Sequence, residues 1–206
     1  MTANPMTLWD DEDGKAWREA RDSYEARVAA RQVNRLPELD HWYRYQLPHD
    51  LQGRQPPFIT REELITVAEW KMKRGVYRGR NLALVKRNIE AEVKSKSARA
   101  FAAIPHIGKA VSSLCKLSGV GPATSSAVLA ALRPDLFPFF DEDVAKQIPE
   151  LGKVAFTQSY YIQYSEALRS RAQALAKASA SPWTAQGVAE ALWARRPVDP
   201  ATGSSS

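Results

Sequence analysis

The sequence predicts a single all-α domain, on the basis of two observations. Nearly every segment carries apolar residues at helical spacing, and no stretch shows the period-two alternation of a half-buried strand. The chain has 206 residues, 44% of them hydrophobic, which is enough for one sizeable core. We therefore expect one helical domain over residues 15–196, between a flexible acidic N-terminus at 1–14 and a disordered polar tail at 197–206.

Capping and breaking residues divide the predicted domain into successive helices. A loop with one glycine and two prolines is expected at 49–57, directly after Leu47-Pro48. The predicted helices cover residues 15–32, 36–45, 60–75, 81–88, 89–101, 106–116, 122–132 and 156–178, and a last one begins after Thr184.

The helix at 60–75 has the clearest start signal in the chain. Thr60 and Glu63 have the spacing of a capping box, in which each side chain bonds the backbone N–H of the other residue. Ile59 and Leu64 have the spacing of the accompanying hydrophobic staple. Gly75 is the expected end of this helix.

Cysteine and histidine usage excludes several classes of cofactor. Cys115 is the only cysteine, so an intramolecular disulfide framework, an iron–sulfur cluster and a thiolate zinc site are all excluded. The three histidines are too scattered for a metal-ligand motif.

The first residues do not resemble a signal peptide, and no apolar stretch approaches the ~18 residues of a membrane span. We expect a protein that is not secreted and not bound to a membrane.

Positive charge is concentrated in one block of the sequence. Residues 71–100 contain ten basic residues and two acidic ones, and such a block attracts a polyanion. The alternative is an ordinary solvated helical face. The candidate contacts with the backbone of such a polyanion are Lys71, Lys73, Arg74, Arg78, Arg80, Lys86 and Arg87 in this block, and Lys116 after it.

The most informative stretch is the turn between the helices at 106–116 and 122–132. Gly119 and Gly121 permit positive φ and a close backbone approach, and Val120 between them is free to turn inward. Pro122 takes the first helical position, where its missing N–H costs nothing. Unpaired N–H groups at a helix start can hold one phosphate, although a plain turn between helices is the alternative. The candidate phosphate-binding residues are Gly119, Val120, Gly121, Ala123 and Thr124.

This turn resembles the motif of the helix-hairpin-helix DNA glycosylase superfamily, hydrophobic-x-Gly-Val-Gly-x-x-Thr-Ala. Leu117 through Thr124 match it, with Ser125 in place of the alanine. In that family a catalytic aspartate follows the second glycine by about twenty residues, after a Pro-x-x lead-in. Asp141 lies 20 residues after Gly121 and follows Pro138-Phe-Phe. The flanking helices are similar in general character to those of the Amun-like nuclear proteins, which carry a glycosylase-like domain.

The resemblance implies a helix-hairpin-helix DNA glycosylase-like domain, with the motif at 106–132, that excises damaged or modified bases. Asp141 is the implied catalytic residue, and a shift of register would give that role to Glu142 or Asp143. Alternatively, the three acids simply begin a helix. Ala123 occupies the position of the family's Schiff-base lysine, so a monofunctional enzyme without a lyase step is expected.

The resemblance also implies partners and ligands. Double-stranded DNA is the expected partner of a monomer, in the nucleus if the source is eukaryotic and otherwise in the cytoplasm. A monovalent cation, K⁺ or Na⁺, is implied at the main-chain carbonyls of Cys115, Leu117 and Val120. The aromatic candidates for a base pocket, each of which is equally consistent with a core position, are Trp42, Tyr43, Tyr45, Trp70, Tyr77, Tyr160 and Tyr161.

Two other functions remain open from the sequence. The first is a DNA- or chromatin-binding protein that has the glycosylase fold without its catalysis, and the second is a helical interaction module that binds no nucleic acid. A carboxylate that faces an open cleft beside the hairpin would favour catalysis. A buried, ion-paired Asp141 would favour binding alone.

Overall fold

The computed structural model describes residues 7–12, 14–76, 79–179 and 181–196. Every regular element in these residues is helical, which confirms the predicted all-α class. The α-helices are α1 (Gly14–Asp22), α2 (Tyr24–Ala30), α3 (Leu36–His41), α4 (Leu47–Gln52), α5 (Arg61–Arg74), α6 (Gly79–Val85), α7 (Glu90–Ala102), α8 (Ile107–Leu114), α9 (Pro122–Leu132), α10 (Glu142–Ala145), α11 (Gln158–Ser179) and α12 (Ala185–Arg195).

The N-terminal segment differs from the predicted flexible terminus. Leu8 and Trp9 form a short 3-10 turn and are buried in the core. The indole N–H of Trp9 donates to the Glu150 carboxylate at 3.1 Å, and Arg171 donates to the Trp9 carbonyl at 2.7 Å. Burial of the Trp9 ring therefore anchors a segment that its acidic composition had indicated to be flexible. Residues 1–6 and 13, and the predicted tail at 197–206, lie outside the described residues.

Several predicted helix boundaries were wrong; the helix predicted at 81–88, for example, ends at Val85 in α6. The predicted helix at 15–32 is divided into α1 and α2 at Ser23, whose hydroxyl donates to the Ala20 carbonyl at 2.7 Å and so competes with helical pairing. The predicted loop at 49–57 begins later, because Pro48 lies in the first turn of α4, where its missing N–H is not needed. A π-helical turn at Trp42–Gln46 joins α3 to α4.

The start of α5 confirms the predicted capping box. The Glu63 amide donates to the Thr60 hydroxyl at 3.2 Å, and the Thr60 amide donates to the Glu63 carboxylate at 2.8 Å. Ile59 and Leu64, the predicted staple, are fully buried. These contacts fix the direction in which α5 enters the core.

Two helices, α9 and α12, form the centre of the core. Residues 124–131 and 185–194 are buried without interruption, as expected for helices covered on all sides. α9 packs against α4, α5 and α8, whereas α12 packs against α1 and α11. Two polar side chains in these helices bond the backbone of the next segment: Ser126 accepts from the Phe140 amide, and Gln186 accepts from the Phe139 amide. The two central helices thus fix the extended segment that leads to Asp141.

Candidate nucleic-acid interface

The turn between α8 and α9 has two of the predicted local features, a left-handed Gly119 and an inward-facing Val120. Gly119 adopts φ +72°, in the left-handed region that favours glycine, and Val120 turns inward and is buried with Leu117. The Val120 amide donates to the Leu117 carbonyl at 3.2 Å. Gly121 differs from the prediction, because its φ of −107° and ψ of −173° are extended and open to any residue.

The close backbone approach at Gly119 is made by α6. A Cβ at this position would lie 2.8 Å from both the Asn81 carbonyl oxygen and the Val85 nitrogen. Both of these atoms belong to backbone, so the contact cannot be relieved by a side-chain rotation. Around Gly121, in contrast, a Cβ would meet nothing within 4 Å. One glycine of the turn is therefore packed, and the other faces open space.

Asn88 ties the same turn to the end of α6, a role that the sequence reasoning missed. Its carboxamide accepts from the Ser118 amide at 2.8 Å and donates to the Ser118 and Val85 carbonyls at 2.9 and 2.8 Å. The side chain is 5% exposed. The only local signal was an asparagine at the predicted end of a helix, and this position gives no indication of a long-range partner.

The start of α9 presents unpaired amides. The first helical bond runs from the Ser125 amide to the Gly121 carbonyl, at 2.9 Å. Among the described residues, the amides of Gly121, Ala123 and Thr124 have no hydrogen-bond acceptor. Gly121 is exposed and Ala123 is half-exposed, whereas Thr124 is only 4% exposed, so the accessible unpaired amides are those of Gly121 and Ala123. The partial positive charge of the helix start adds to these donors.

Exposed cations are carried by the segments that adjoin the turn. Arg80 on α6, Lys86 and Arg87 directly after it, and Lys116 before the turn are all exposed. No carboxylate of the described residues pairs with any of these four side chains. Lys73 is half-buried, and Lys71 lines a cleft beside the turn. Arg78 lies outside the described residues.

Arg74 is not a surface cation, and its predicted contact with the DNA backbone was wrong. It is 1% exposed, and its guanidinium lies among the rings of Tyr24, Trp70, Phe139 and Trp193. Nη1 donates to the Asp141 carboxylate at 2.6 Å, and Nε donates to the Tyr24 hydroxyl at 3.2 Å. A buried carboxylate partner and the aromatic faces hold this one member of the basic block inside the protein.

A cleft of about 310 Å³ lies beside the hairpin, between the start of α9 and the acidic segment. Its aromatic wall consists of Phe139, Phe140 and Phe156. The remaining lining residues are Lys71, Gly75, Val76, Asn81, Gly119, Gly121, Pro122, Ala123, Thr124, Asp141, Glu142 and Asp143.

Four of the predicted aromatic pocket residues, Tyr43, Trp70, Tyr160 and Tyr161, are buried in the core instead. The rings of Tyr43 and Trp70 stack at 3.6 Å between centroids, and both side chains are buried. Tyr160 and Tyr161 are also buried and contact the ring of Phe140. Among the described candidates, including Trp42 and Tyr45, none lines the cleft; Tyr77 lies outside the described residues.

Asp141 is held firmly in place. It is the N-cap of α10, where one oxygen accepts from the Asp143 amide at 2.8 Å and the other accepts from Arg74. Its side chain is 8% exposed. The Pro138 and Phe139 carbonyls before it accept from the hydroxyls of Tyr161 and Tyr164, at 3.1 and 2.8 Å. The acidic triplet thus begins a helix, as the alternative interpretation predicted.

The other two acids are also paired with cations. Glu142 lies 2.8 Å from Lys146, and Asp143 lies 2.6 Å from Arg196. Burial and the neighbouring charge of Asp141 raise the pKa of Asp143 above its ordinary value. Since each acid has its own cation, the triplet adds little net negative charge beside the hairpin.

The predicted cation ligands are partly engaged within the turn. The Leu117 carbonyl already accepts the Val120 amide, and Cys115 ends α8. The described residues contain no group of three or more His, Cys, Asp or Glu side chains suited to a metal ion, which does not bear on a site of main-chain carbonyls.

Comparison with known proteins identifies one family. No helix among the described residues has the length and apolar character needed to cross a bilayer. No curated protein and no solved structure matches the chain. A family of unknown function (DUF6308) matches residues 79–199, from the start of α6 to beyond α12. The match includes the hairpin and the acidic triplet and covers more than half of the sequence, so the chain is a member of the DUF6308 family.

Proposed function

We propose that this chain binds double-stranded DNA through its sugar-phosphate backbone, with the hairpin at 117–124 as the anchor. The observation that carries the proposal is the open start of α9, where the amides of Gly121, Ala123 and Thr124 are unpaired and the space around Gly121 is empty. A phosphate fits this arrangement because the amides and the helix dipole both favour an anion. The likeness of the turn to the helix-hairpin-helix motif supports the same interpretation, and with it a glycosylase-like fold.

The exposed cations extend this anchor into a binding surface. Arg80, Lys86, Arg87 and Lys116 are available for neighbouring phosphates because they have no carboxylate partner among the described residues. Contacts of this kind neutralise phosphates without reading base edges, so the binding is expected to be sequence-independent and strongly dependent on salt.

The ion pairs of the acidic triplet favour binding without catalysis. A glycosidic carboxylate must approach the sugar and respond to the positive charge that develops there. Asp141 is buried, caps α10 and is already neutralised by Arg74. We therefore propose that its role is structural and that the protein is a non-catalytic DNA-binding member of this fold.

A monofunctional DNA glycosylase is the second candidate, and the aromatic cleft beside the hairpin favours it. Asp141 and Asp143 both line this cleft. Asp143 is the more suitable base of the two, since its side chain is 45% exposed and its pKa is raised. A lyase step is not part of this candidate, because Ala123 stands at the lysine position.

The binding proposal is tested by fluorescence anisotropy with a labelled 20-base-pair duplex. Four cations at phosphates predict a slope of log K against log salt between about −3 and −4. Raising the salt from 50 to 200 mM should then weaken binding roughly 100-fold. Failure of the parent protein to associate at 50 mM salt would overturn the proposal.

Catalysis is tested on duplexes that carry uracil, alkylated bases or oxidised bases. The parent, Asp141→Asn and Asp143→Asn are compared at a temperature where circular dichroism shows all three to be folded. We expect no base release from any substrate. Release by the parent that is lost in one of the two variants would establish the glycosylase candidate and identify its carboxylate.

A further inference from the structure

We propose that Asn88 is a positioning residue for phosphate binding, and that it makes residues 79–88, here called the α6 segment, a third part of the hairpin unit. This inference rests on the proposed DNA-binding function. It concerns how the amides at the start of α9 are held, which the two helices of the motif do not fully determine.

The oxygen and both N–H groups of the Asn88 side chain are hydrogen-bonded at this junction. Its oxygen accepts one N–H, from Ser118, and its two N–H groups donate to the carbonyls of Ser118 and Val85. All three distances lie between 2.8 and 2.9 Å, and the group is 5% exposed. A buried carboxamide bonded in this way holds its two backbone partners in a defined relative position.

Gly119 adds a second constraint, directly after Ser118. Its Cα lies so near the backbone of α6 that no Cβ fits between them. Two consecutive residues of the turn are thus fixed against the α6 segment, one by hydrogen bonds and the next by close contact. The unpaired amides of Gly121, Ala123 and Thr124 all follow within five residues of Gly119. The direction in which they point therefore depends on the α6 segment.

The α6 segment is itself held to α5. The guanidinium of Arg61 donates to the Asn88 and Lys86 carbonyls at 2.9 and 2.7 Å. Since the same segment carries Arg80, Lys86 and Arg87, the backbone positions of these exposed cations are fixed relative to the turn amides. In this arrangement one duplex strand contacts both kinds of donor without rearrangement of the protein.

The test compares Asn88→Ala and Asn88→Ser with the parent. Serine keeps a polar atom for the Val85 carbonyl but is one bond too short to retain the carboxamide contacts with Ser118. Ser97→Ala is the matched control, because Ser97 is also buried, bonds the Ile59 amide at 3.0 Å and belongs to α7 rather than to the turn. Hydrogen exchange at the Ser118 amide reports directly on the clamp in each folded variant.

We expect both Asn88 variants to bind duplex DNA on the order of tenfold more weakly, as for one lost charge-assisted contact. The salt slope should be unchanged, because no cation has been removed, and Ser118 should exchange faster. Ser97→Ala should bind like the parent.

Three results would overturn the inference. One is parental affinity in both Asn88 variants, another is a flatter salt slope, and the third is unchanged exchange at Ser118; each of them leaves the DNA-binding function intact. Failure of the parent itself to bind DNA removes the function and this inference together, and the parent measurement alone distinguishes that case.

Discussion

The guanidinium of Arg74 lies 2.6 Å from the carboxylate of Asp141, and both side chains are more than nine-tenths buried. The pair connects the last residue of α5 to the N-cap of α10. Asp141, which aligns with the catalytic aspartate of the similar motif, is therefore ion-paired with a buried arginine. The pair is thus the main reason for preferring binding to catalysis.

Breaking this pair should be costly. Arg74→Met leaves a buried carboxylate without its cation, and we expect a loss of about 3 kcal/mol in the free energy of unfolding. Asp141→Asn should also destabilise, while the double variant should lose at least about 1 kcal/mol less than the sum of the two. Urea unfolding of the four proteins measures this coupling.

Arg133 and Asp135 provide the matched surface pair. They also lie 2.6 Å apart, but both side chains are more than 40% exposed. Arg133→Ala should therefore change the free energy of unfolding by less than about 1 kcal/mol. Additive effects of Arg74→Met and Asp141→Asn would show that the buried contact contributes nothing specific.

The two glycines of the hairpin should respond differently to substitution. Gly119→Ala combines a positive φ with contacts of 2.8 Å to backbone atoms, so a loss of about 2 kcal/mol or more is expected. Gly121→Val has an extended backbone and open surroundings, and its free energy of unfolding should stay within about 0.5 kcal/mol of the parent.

Gly121→Val should weaken DNA binding although it leaves stability unchanged. The valine of Gly121→Val occupies the space in front of the unpaired amides, so we expect roughly tenfold weaker binding by a fully folded protein. Thermal unfolding and anisotropy on the same samples check both quantities. Parental affinity in Gly121→Val would mean that the phosphate does not dock at the start of α9.

The exposed cations near the hairpin should contribute individually to the salt dependence. Each of Arg80→Ala, Lys86→Ala, Arg87→Ala and Lys116→Ala should reduce the magnitude of the salt slope by about 1. Lys177→Ala is the control. Lys177 is exposed and lies about 30 Å along α11 from Gln158, the first residue of this helix, which comes two positions after the cleft residue Phe156. An equal effect of Lys177→Ala would indicate a response to net charge rather than to a defined surface.

The capping box should make stability depend on acid pH. Burial alone would raise the pKa of Glu63, but hydrogen bonds from Arg54 and Thr60 outweigh it, and the pKa is lower than its ordinary value of 4.5. The ionised group therefore stabilises the fold above pH 4.5, and this contribution is lost as the pH falls through the lowered pKa.

Glu63→Gln should accordingly cost about 2 kcal/mol at pH 7, and the difference from the parent should shrink as the pH is lowered below 4.5. Urea unfolding from pH 7 to pH 3 measures it. Glu62→Gln, at a neighbouring side chain that is 77% exposed, should have little effect at any pH. A constant difference between Glu63→Gln and the parent over this range would contradict the prediction.

Local signals in the sequence were sufficient for much of the helical framework. The limits of α9 were predicted to the residue, because Pro122 favours a helix start and the apolar run continues to Leu132. The Thr60–Glu63 capping box and the left-handed Gly119 are equally local features, determined by residues within three positions of each other. In contrast, Ser23 and Pro48 were misjudged because several backbone conformations satisfy the same local preferences.

Positions that depend on distant partners could not be predicted. Arg74 was indistinguishable from the other cations of residues 71–100, and only its placement against Asp141, 67 positions away, buries it. Asn88 and Ser118 are 30 positions apart, and nothing near either residue indicates their contact.

The sequence by itself determined the helical class, the hairpin turn and the concentration of positive charge, because each follows from residue types over a few neighbouring positions. The tertiary structure decided which cations remain at the surface, which acids are neutralised and how the turn is held against α6. Those outcomes depend on desolvation and pairing between distant segments, and these energies are set only once the helices have packed.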